Sequence, residues 1–308
     1  MASEINIRPC RLDDLRSVWK TFLISFEEMM RRVQGSRRAL PGSRKLPPYL
    51  QHVLATDARG FWVAESNGEI VGFACSIVRG AVWFLCDFWV LPEFQDRGIG
   101  RKLLERSLQS DRRYRIISTY SSLDPSAMRS YIMVGMTPRF PVYTLVLRTK
   151  DLKREIAVGS RVKIAELPPT ASHERIDEAV REMSSIDLVA RGSRRKEDHE
   201  FFVNRSGSRC WLARKHSKTN GYFYVTASGQ IGPLAVENPW YMLPVLHQSI
   251  KMAAQWHPKL SIQIPSPNVE SIRALIRFGF RIESHAVFMS SREFGRMENY
   301  IISGPALF

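Results

Sequence analysis

At 308 residues the chain exceeds one ordinary compact domain, and its 44% hydrophobic, 10% aromatic and 24% charged residues exclude disordered and fibrous classes. Lys and Arg number 45 against 30 Asp and Glu, and the formal charge of +15 favours polyanionic partners such as nucleotides, nucleic acid or an anionic membrane. The basic pairs Arg31-Arg32, Arg37-Arg38 and Arg112-Arg113 and the run Arg194-Arg195-Lys196 are scattered rather than gathered in one tail. That scatter points away from a dedicated nucleic-acid arm, which stays as an alternative.

Ile5 to Arg8 alternates like a short strand, and Asp13-Asp14 precede Leu15, Val18, Trp19, Phe22 and Phe26 at helical spacing. From Val33 to Pro48 the sequence turns basic and rich in Gly and Pro, which predicts an exposed loop between helical pieces. Strand-like runs follow at Phe61 to Glu65, Ile70 to Val78 and Val82 to Leu91. Turn signals at Asn67-Gly68 and Arg79-Gly80 make them an antiparallel meander. A helix is predicted after Gly100, a strand at Ile116 to Tyr120, a helix from Pro125 to Val134 ending at Gly135, and a strand at Tyr143 to Leu147.

The charged, then small, stretch from Lys150 to Ser160 reads as a connection. The order then recurs: strand at Val162 to Leu167, helix at Glu174 to Met183, strands at Cys210 to Arg214 and Tyr222 to Thr226. A helix from Tyr241 to Gln255, a strand at Leu260 to Ile264 and a helix ending at Gly279-Phe280 complete it. The expected domains are 1–150 and 151–308. Cys10, Cys75, Cys86 and Cys210 have neither disulfide-scaffold nor zinc spacing, and His199, His216, His247 and His285 lack metal-ligand spacing, so no metal is expected. Neither a leader-like N-terminus nor a long uncharged apolar run is present, and the expectation is a cytoplasmic protein without membrane association.

The segment richest in chemistry is the apolar strand Phe84-Leu85-Cys86-Asp87-Phe88-Trp89-Val90-Leu91, followed by Pro92-Glu93-Phe94-Gln95-Asp96-Arg97-Gly98-Ile99-Gly100 and a helix. Glycines admit a phosphate close to the backbone, the unpaired amides opening the helix point at it, and Arg97, Arg101 and Lys102 add charge. The turn lacks the third glycine of a dinucleotide fingerprint and the Gly-Lys-Ser/Thr of a nucleoside-triphosphate loop.

Val-x-Pro-Glu-x-Gln-x-x-Gly-x-Gly after an apolar strand resembles the acyl-CoA pyrophosphate motif of the GNAT superfamily of N-acetyltransferases. Asp124-Pro125-Ser126-Ala127, Tyr131 and Gly135-Met136 resemble that family's next motif, with Asp124 in place of asparagine and Met136 in place of phenylalanine. The resemblance spans about residues 5 to 147. It implies an α+β fold of two tandem GNAT-like domains, each a mixed, mostly antiparallel twisted sheet flanked by helices.

It further implies acetyl-CoA as co-substrate, paired to the backbone of Phe88, Trp89 and Val90 and held by Gln95, Asp96, Arg97, Gly98, Ile99, Gly100, Arg101, Lys102 and Asp124. Tyr131 falls on the family's general acid, and a neutral phenol suits protonation of a thiolate. The amine must lose a proton, and Asp87, a carboxylate in an apolar strand, is the candidate base. Cys86 stands where some relatives carry a glutamate base, and strand alternation sets it on the face opposite Asp87. Glu27 and Glu28 could bind a cationic amine, though a solvated helix face accounts for them as well. The implied activity is acetyl transfer to a primary amine of a small molecule or peptide. The alternative is a non-catalytic acyl-CoA-sensing or nucleic-acid-binding adaptor.

In the second half Asn268-Val269-Glu270-Ser271 and Gly279-Phe280 resemble the same second motif with Leu275 at the tyrosine position, and no Gln-x-x-Gly-x-Gly precedes the helix after Trp240. This is the expected degenerate copy. Asp187 to Asp198, with Gly221-Tyr222 and Ile231-Gly232-Pro233, resembles the C-terminal domain of tandem bacterial acetyltransferases.

Overall fold

The computed structural model describes residues 4–34, 45–109, 114–153, 162–216 and 218–308. Most of the predicted 33–48 loop, the pairs Arg37-Arg38 and Arg112-Arg113, and most of the predicted connection lie outside them. The chain forms two compact units, residues 1–137 with 289–292 and 305–307, and residues 138–288 with 293–304 and 308.

In the first unit strand β1 (Ile5–Pro9) leads through helix α1 (Leu15–Gln34) and helix α2 (Pro48–Asp57) to β2 (Trp62–Ser66), β3 (Glu69–Arg79) and β4 (Val82–Val90). Helix α3 (Ile99–Leu108), β5 (Ile116–Ser121) and α4 (Pro125–Met133) follow. β1 to β4 pair antiparallel in sequence order, and β5 joins β4 in parallel through the α3 crossover. β3 is buried almost throughout, and Phe61, Phe73, Trp83 and Phe84 sit at its core with at most 1% exposure, as a sheet covered on both faces requires.

The amphipathic face of α3 buries Ile99, Leu103 and Leu104. Its other end is tied by the Ser107 hydroxyl, which donates to Gly60 O at 2.9 Å and bonds Ser76 Oγ at 2.9 Å. Both contacts anchor the C-terminal end of the helix. Residues 289–292 join this unit at β5, where Ser291 N donates to Ile117 O at 2.9 Å.

The second unit repeats the plan. β7 (Lys163–Leu167), α5 (His173–Arg191), α6 (Lys196–Asn204), β8 (Arg209–Lys215), β9 (Lys218–Val225) and β10 (Gln230–Val236) lead to α7 (Met242–Ala254), β11 (Lys259–Pro265), α8 (Val269–Arg277), β12 (Arg281–Ser290) and β13 (Tyr300–Ile301). β7 to β10 form an antiparallel meander and β11 joins β10 in parallel. β6 (Thr137–Arg148), which follows the first half in sequence, runs antiparallel to β11 from Val142↔Pro265 to Arg148↔Lys259. Leu145 and Leu147 on it enter the second unit's core beside Leu260, Ile262 and Ile264.

The structure adds strands β10, β12 and β13 to those expected. Gly232 and Pro233 interrupt the β10 pattern, since proline cannot donate to a ladder. Helix α5 continues past the expected Met183 to Arg191 and ends at Gly192 in the left-handed conformation, φ +74°. Among the described residues no helix is long and apolar enough to cross a membrane.

Candidate active site

Strand β4 carries one residue more than its partner at Cys86: Cys75 pairs with Asp87, while the next residue, Ser76, pairs with Leu85. Such a bulge bends a strand and ends regular pairing beside it. The parallel ladder with β5 runs from Val82↔Ile116 to Leu85↔Thr119 and stops there. Beyond Leu85 the strands part, and among the described residues no strand of this unit pairs with that edge of β4. The backbone groups of Asp87 to Val90 that do not bond β3 thus border a slot into which an extended chain could add as a strand.

At the mouth of the slot a short helical turn, Pro92–Phe94, leads to Asp96 and Gly98 at φ +60° and +75°, left-handed values that only the second residue adopts without strain. A Cβ on Gly98 would touch nothing within 4 Å, so the loop is open there, whereas one on Gly100 would lie 3.0 Å from the Phe88 ring. The first backbone bond of α3 is Lys102 N to Gly98 O at 3.2 Å, which leaves the amides before it without intrahelical partners. Exposed Arg97, Arg101 and Lys102 surround these amides, and the Arg97 guanidinium lies 5.2 Å from the Phe94 ring centroid. Free amides, a positive helix end and three cations fit a diphosphate.

Inside the slot Asp87 accepts from the Tyr49 hydroxyl at 2.6 Å and from Trp89 Nε1 at 2.9 Å. It keeps part of its surface open, yet enough protein surrounds it that burial pushes its carboxyl up to about 6, against the lowering effect of the two donors. Asp87 and Trp89, two apart on the strand, share a face, and Phe22 and Phe26 of α1 stand edge-on to the Trp89 ring at 5.1 and 5.9 Å. Phe88 points the other way and meets the ring of Tyr131 at 6.1 Å.

Tyr131 is 6% exposed, and its hydroxyl has no hydrogen-bond partner among the described residues. Burial first, then the charges of Asp87 and Asp124, hold its phenol well above the ordinary range and therefore protonated at neutral pH. The buried Cys75 and Cys86 thiols are likewise raised by burial, so neither offers a ready thiolate.

Several predicted residues have other duties here. Asp124 is the N-cap of α4: Oδ1 accepts from Ser126 N at 2.9 Å and Ala127 N at 3.1 Å, and Oδ2 pairs with Arg32. The Gln95 amide donates to Val90 O at 3.0 Å, an oxygen it shares with Ser25 Oγ at 3.2 Å, so its side chain braces the turn. Ile99 is buried and contributes only backbone. The bulge at Cys86 breaks the strict alternation on which the opposed placement of Cys86 and Asp87 rested. Glu28 is bonded to Arg31 at 2.7 and 2.9 Å, and Glu27 is exposed. Among the described residues no cluster of His, Cys, Asp and Glu is placed to hold a metal ion.

Tyr49 is the member of the site that sequence reasoning missed. It sits in the first turn of α2 and carries no local signal of a partner 38 residues away. Arg32 was visible only as one of a basic pair.

The Acetyltransferase (GNAT) family profile matches residues 26–132, which include the bulge, the glycine turn and Tyr131. An uncharacterized N-acetyltransferase of Archaeoglobus fulgidus is 32% identical over 112 residues, 34% of this chain and 72% of the relative. Among solved structures, a proposed acetyltransferase of Pyrococcus horikoshii superposes with a TM-score of 0.76 at 19% identity, covering 99% of this chain and 96% of its own. A tandem GNAT protein from the clavulanic acid biosynthesis pathway superposes with a TM-score of 0.61 at 18% identity, covering 93% and 98%. These two show that the likeness of fold extends along the whole chain. With the parted strands and the glycine turn in place, the match to the 32% identical N-acetyltransferase, 72% of which this chain covers, and to the family profile shows that the chain belongs to the GNAT family of acetyltransferases.

Proposed function

We propose that the first unit is an acyl-CoA-dependent N-acetyltransferase for a primary amine, with Asp87 as base and Tyr131 as acid. The observation that carries this reading is the unpaired edge of β4 beyond Leu85, with a raised carboxylate and an unbonded phenol beside it.

Acetyl-CoA, when bound, supplies the activated acetyl group. The backbone of Phe88, Trp89 and Val90 would hold its arm, and the amides from Gly98 to Arg101, with Arg97 and Lys102, its diphosphate. Asp87, with its carboxyl near 6, is ionised at neutral pH and is a stronger base than an ordinary carboxylate, placed to accept the proton that the amine nitrogen sheds as it attacks. Tyr49 and Trp89 fix its two oxygens from two sides, so the free lone pairs point in a set direction. Tyr131 keeps its proton until a thiolate, a far stronger base than water, is released beside it. The partly open rings of Phe22, Phe26 and Trp89 next to Asp87 favour an amine carried on an apolar body.

The test is calorimetric titration with acetyl-CoA, followed by release of free thiol across a panel from polyamines and amino acids to aralkyl amines. Binding with turnover of at least one amine, highest for the apolar ones, is expected. Absence of acetyl-CoA binding would sink the reading. Tight binding with no turnover of any amine would favour a sensor.

A further inference from the structure

We infer that residues 297–304 fill, in the second unit, the slot that the first unit leaves open for an acyl-CoA arm, so that the chain is its own occupant there. The comparison with a cofactor slot rests on the reading of the first unit; the pairing itself does not.

The two units share the device that opens the slot. β10, like β4, carries one extra residue against its antiparallel neighbour, since Ile231 pairs with Val225 but Leu234 with Phe223. Its parallel ladder with β11 also stops early, after Gln230↔Ser261 and Ile231↔Ile262. Where β4 then has no strand partner within its unit among the described residues, β10 faces β13: Leu234 pairs with Ile301 and Ala235 with Tyr300. On the far side Ile302 N donates to Gln263 O of β11 at 3.2 Å. The segment is wedged between the two parted strands as an added strand.

Side chains at both ends hold it. Asn268, which precedes α8 as Asp124 precedes α4, gives its amide to Tyr300 O at 3.1 Å and also to Met297 O. Gln230 Nε2 donates to Ser303 O at 2.9 Å. Beyond them Phe308 O accepts from Arg191 Nη2 at 2.7 Å and Arg195 Nη1 at 3.1 Å.

The run from Asp187 to Asp198 thereby finds its use. Arg195 and His199 bond Asp187 at 2.6 and 2.9 Å, Tyr222 donates to it as well, and these residues are almost wholly enclosed. Arg195 is therefore a core residue and no part of a basic surface. The mouth of this slot is also spoken for: no glycine turn precedes α7, and the Asn238 side chain accepts from Trp240 N at 3.0 Å.

The test uses the full chain, with native mass spectrometry during an acetyl-CoA titration and amide exchange at residues 300–302. Expected are at most one acetyl-CoA per chain and slow exchange at Ile302 that the ligand leaves unchanged. Asn268→Ala should speed that exchange about tenfold while leaving acetyl-CoA affinity as it was. Gln230→Ala gives the same readout at the other end should the first variant fail to fold. Two acetyl-CoA per chain, or an Ile302 amide exchanging like free peptide in the unaltered chain, would overturn the inference. No acetyl-CoA bound at all would remove the reading of the first unit, while slow exchange at Ile302 would still uphold this one.

Discussion

Replacing Asp87 by asparagine should stabilise the fold while removing activity. Burial lifts the carboxyl from its ordinary 3.8 to about 6, so the folded chain holds that proton more tightly than the unfolded chain does. The sign follows: the proton's contribution to stability is complete below pH about 4 and is lost as pH rises to about 6, at a cost of roughly 3 kcal/mol above it. An amide has the same shape and no charge, but it makes neutral hydrogen bonds to Tyr49 and Trp89 in place of charge-assisted ones, which returns about 1 kcal/mol. A net gain of about 1–2 kcal/mol above pH 6 corresponds to roughly 2–6 °C in Tm. Melts of both proteins from pH 4 to pH 8 should therefore coincide at the acid end and separate across the titration. Turnover of the best amine should fall about 10²-fold or more. A variant less stable at pH 7.5, or a difference that ignores pH, would refute the account of Asp87 as a strained base.

Four further outcomes follow from the same geometry. Tyr131→Phe should lower kcat by about 10²-fold or more with little change in KM for acetyl-CoA and little loss of stability, since the hydroxyl bonds no described group; steady-state kinetics and a melt decide it. kcat/KM for an amine should rise with pH through an apparent value near 6, provided the amine's own titration is held apart by using acceptors of different basicity; a profile that follows only the amine would remove Asp87. Gly98→Val, at φ +75° and with open space about its Cα, should weaken acetyl-CoA binding at least tenfold by strain and by crowding the amides, which calorimetry reads directly. Asp187→Ala should cost about 3–5 kcal/mol in denaturant unfolding, because it leaves Arg195 buried without its carboxylate.

The first unit was legible where chemistry is local. A glycine before a helix, a lone carboxylate in an apolar strand and a tyrosine at fixed distance after a cap are all written in short stretches of sequence, and the structure sets them at the start of α3, on β4 and on α4. Partners contributed by distant elements were not legible: Tyr49 reaches Asp87, and Arg32 reaches Asp124, only once α2 and α1 are seated. The extra residue at Cys86 was hidden for a related reason, since a bulge is a mismatch between two strands and neither strand shows it alone. Asp124 in place of asparagine proves a mild change in this fold, because either side chain can cap a helix, and the carboxylate gains Arg32 as a partner.

The second unit was legible as a repeat of elements and much less so as a set of partners. The run from Asp187 to Asp198 has the composition of a solvated segment, and only the closing of α5 over β9 and β10 turns Arg195 and His199 inward, where every charge must find a bond. Parting two parallel strands exposes backbone groups that must be met by something, and the bulge in each unit creates that demand equally. In β10 the demand is met by Tyr300 and Ile301, fixed by Asn268 and by the arginines beyond. In β4 no described strand meets it beyond Leu85 and only Val90 O is engaged, by the Gln95 and Ser25 side chains, beside a carboxylate and a phenol whose protons burial holds more tightly.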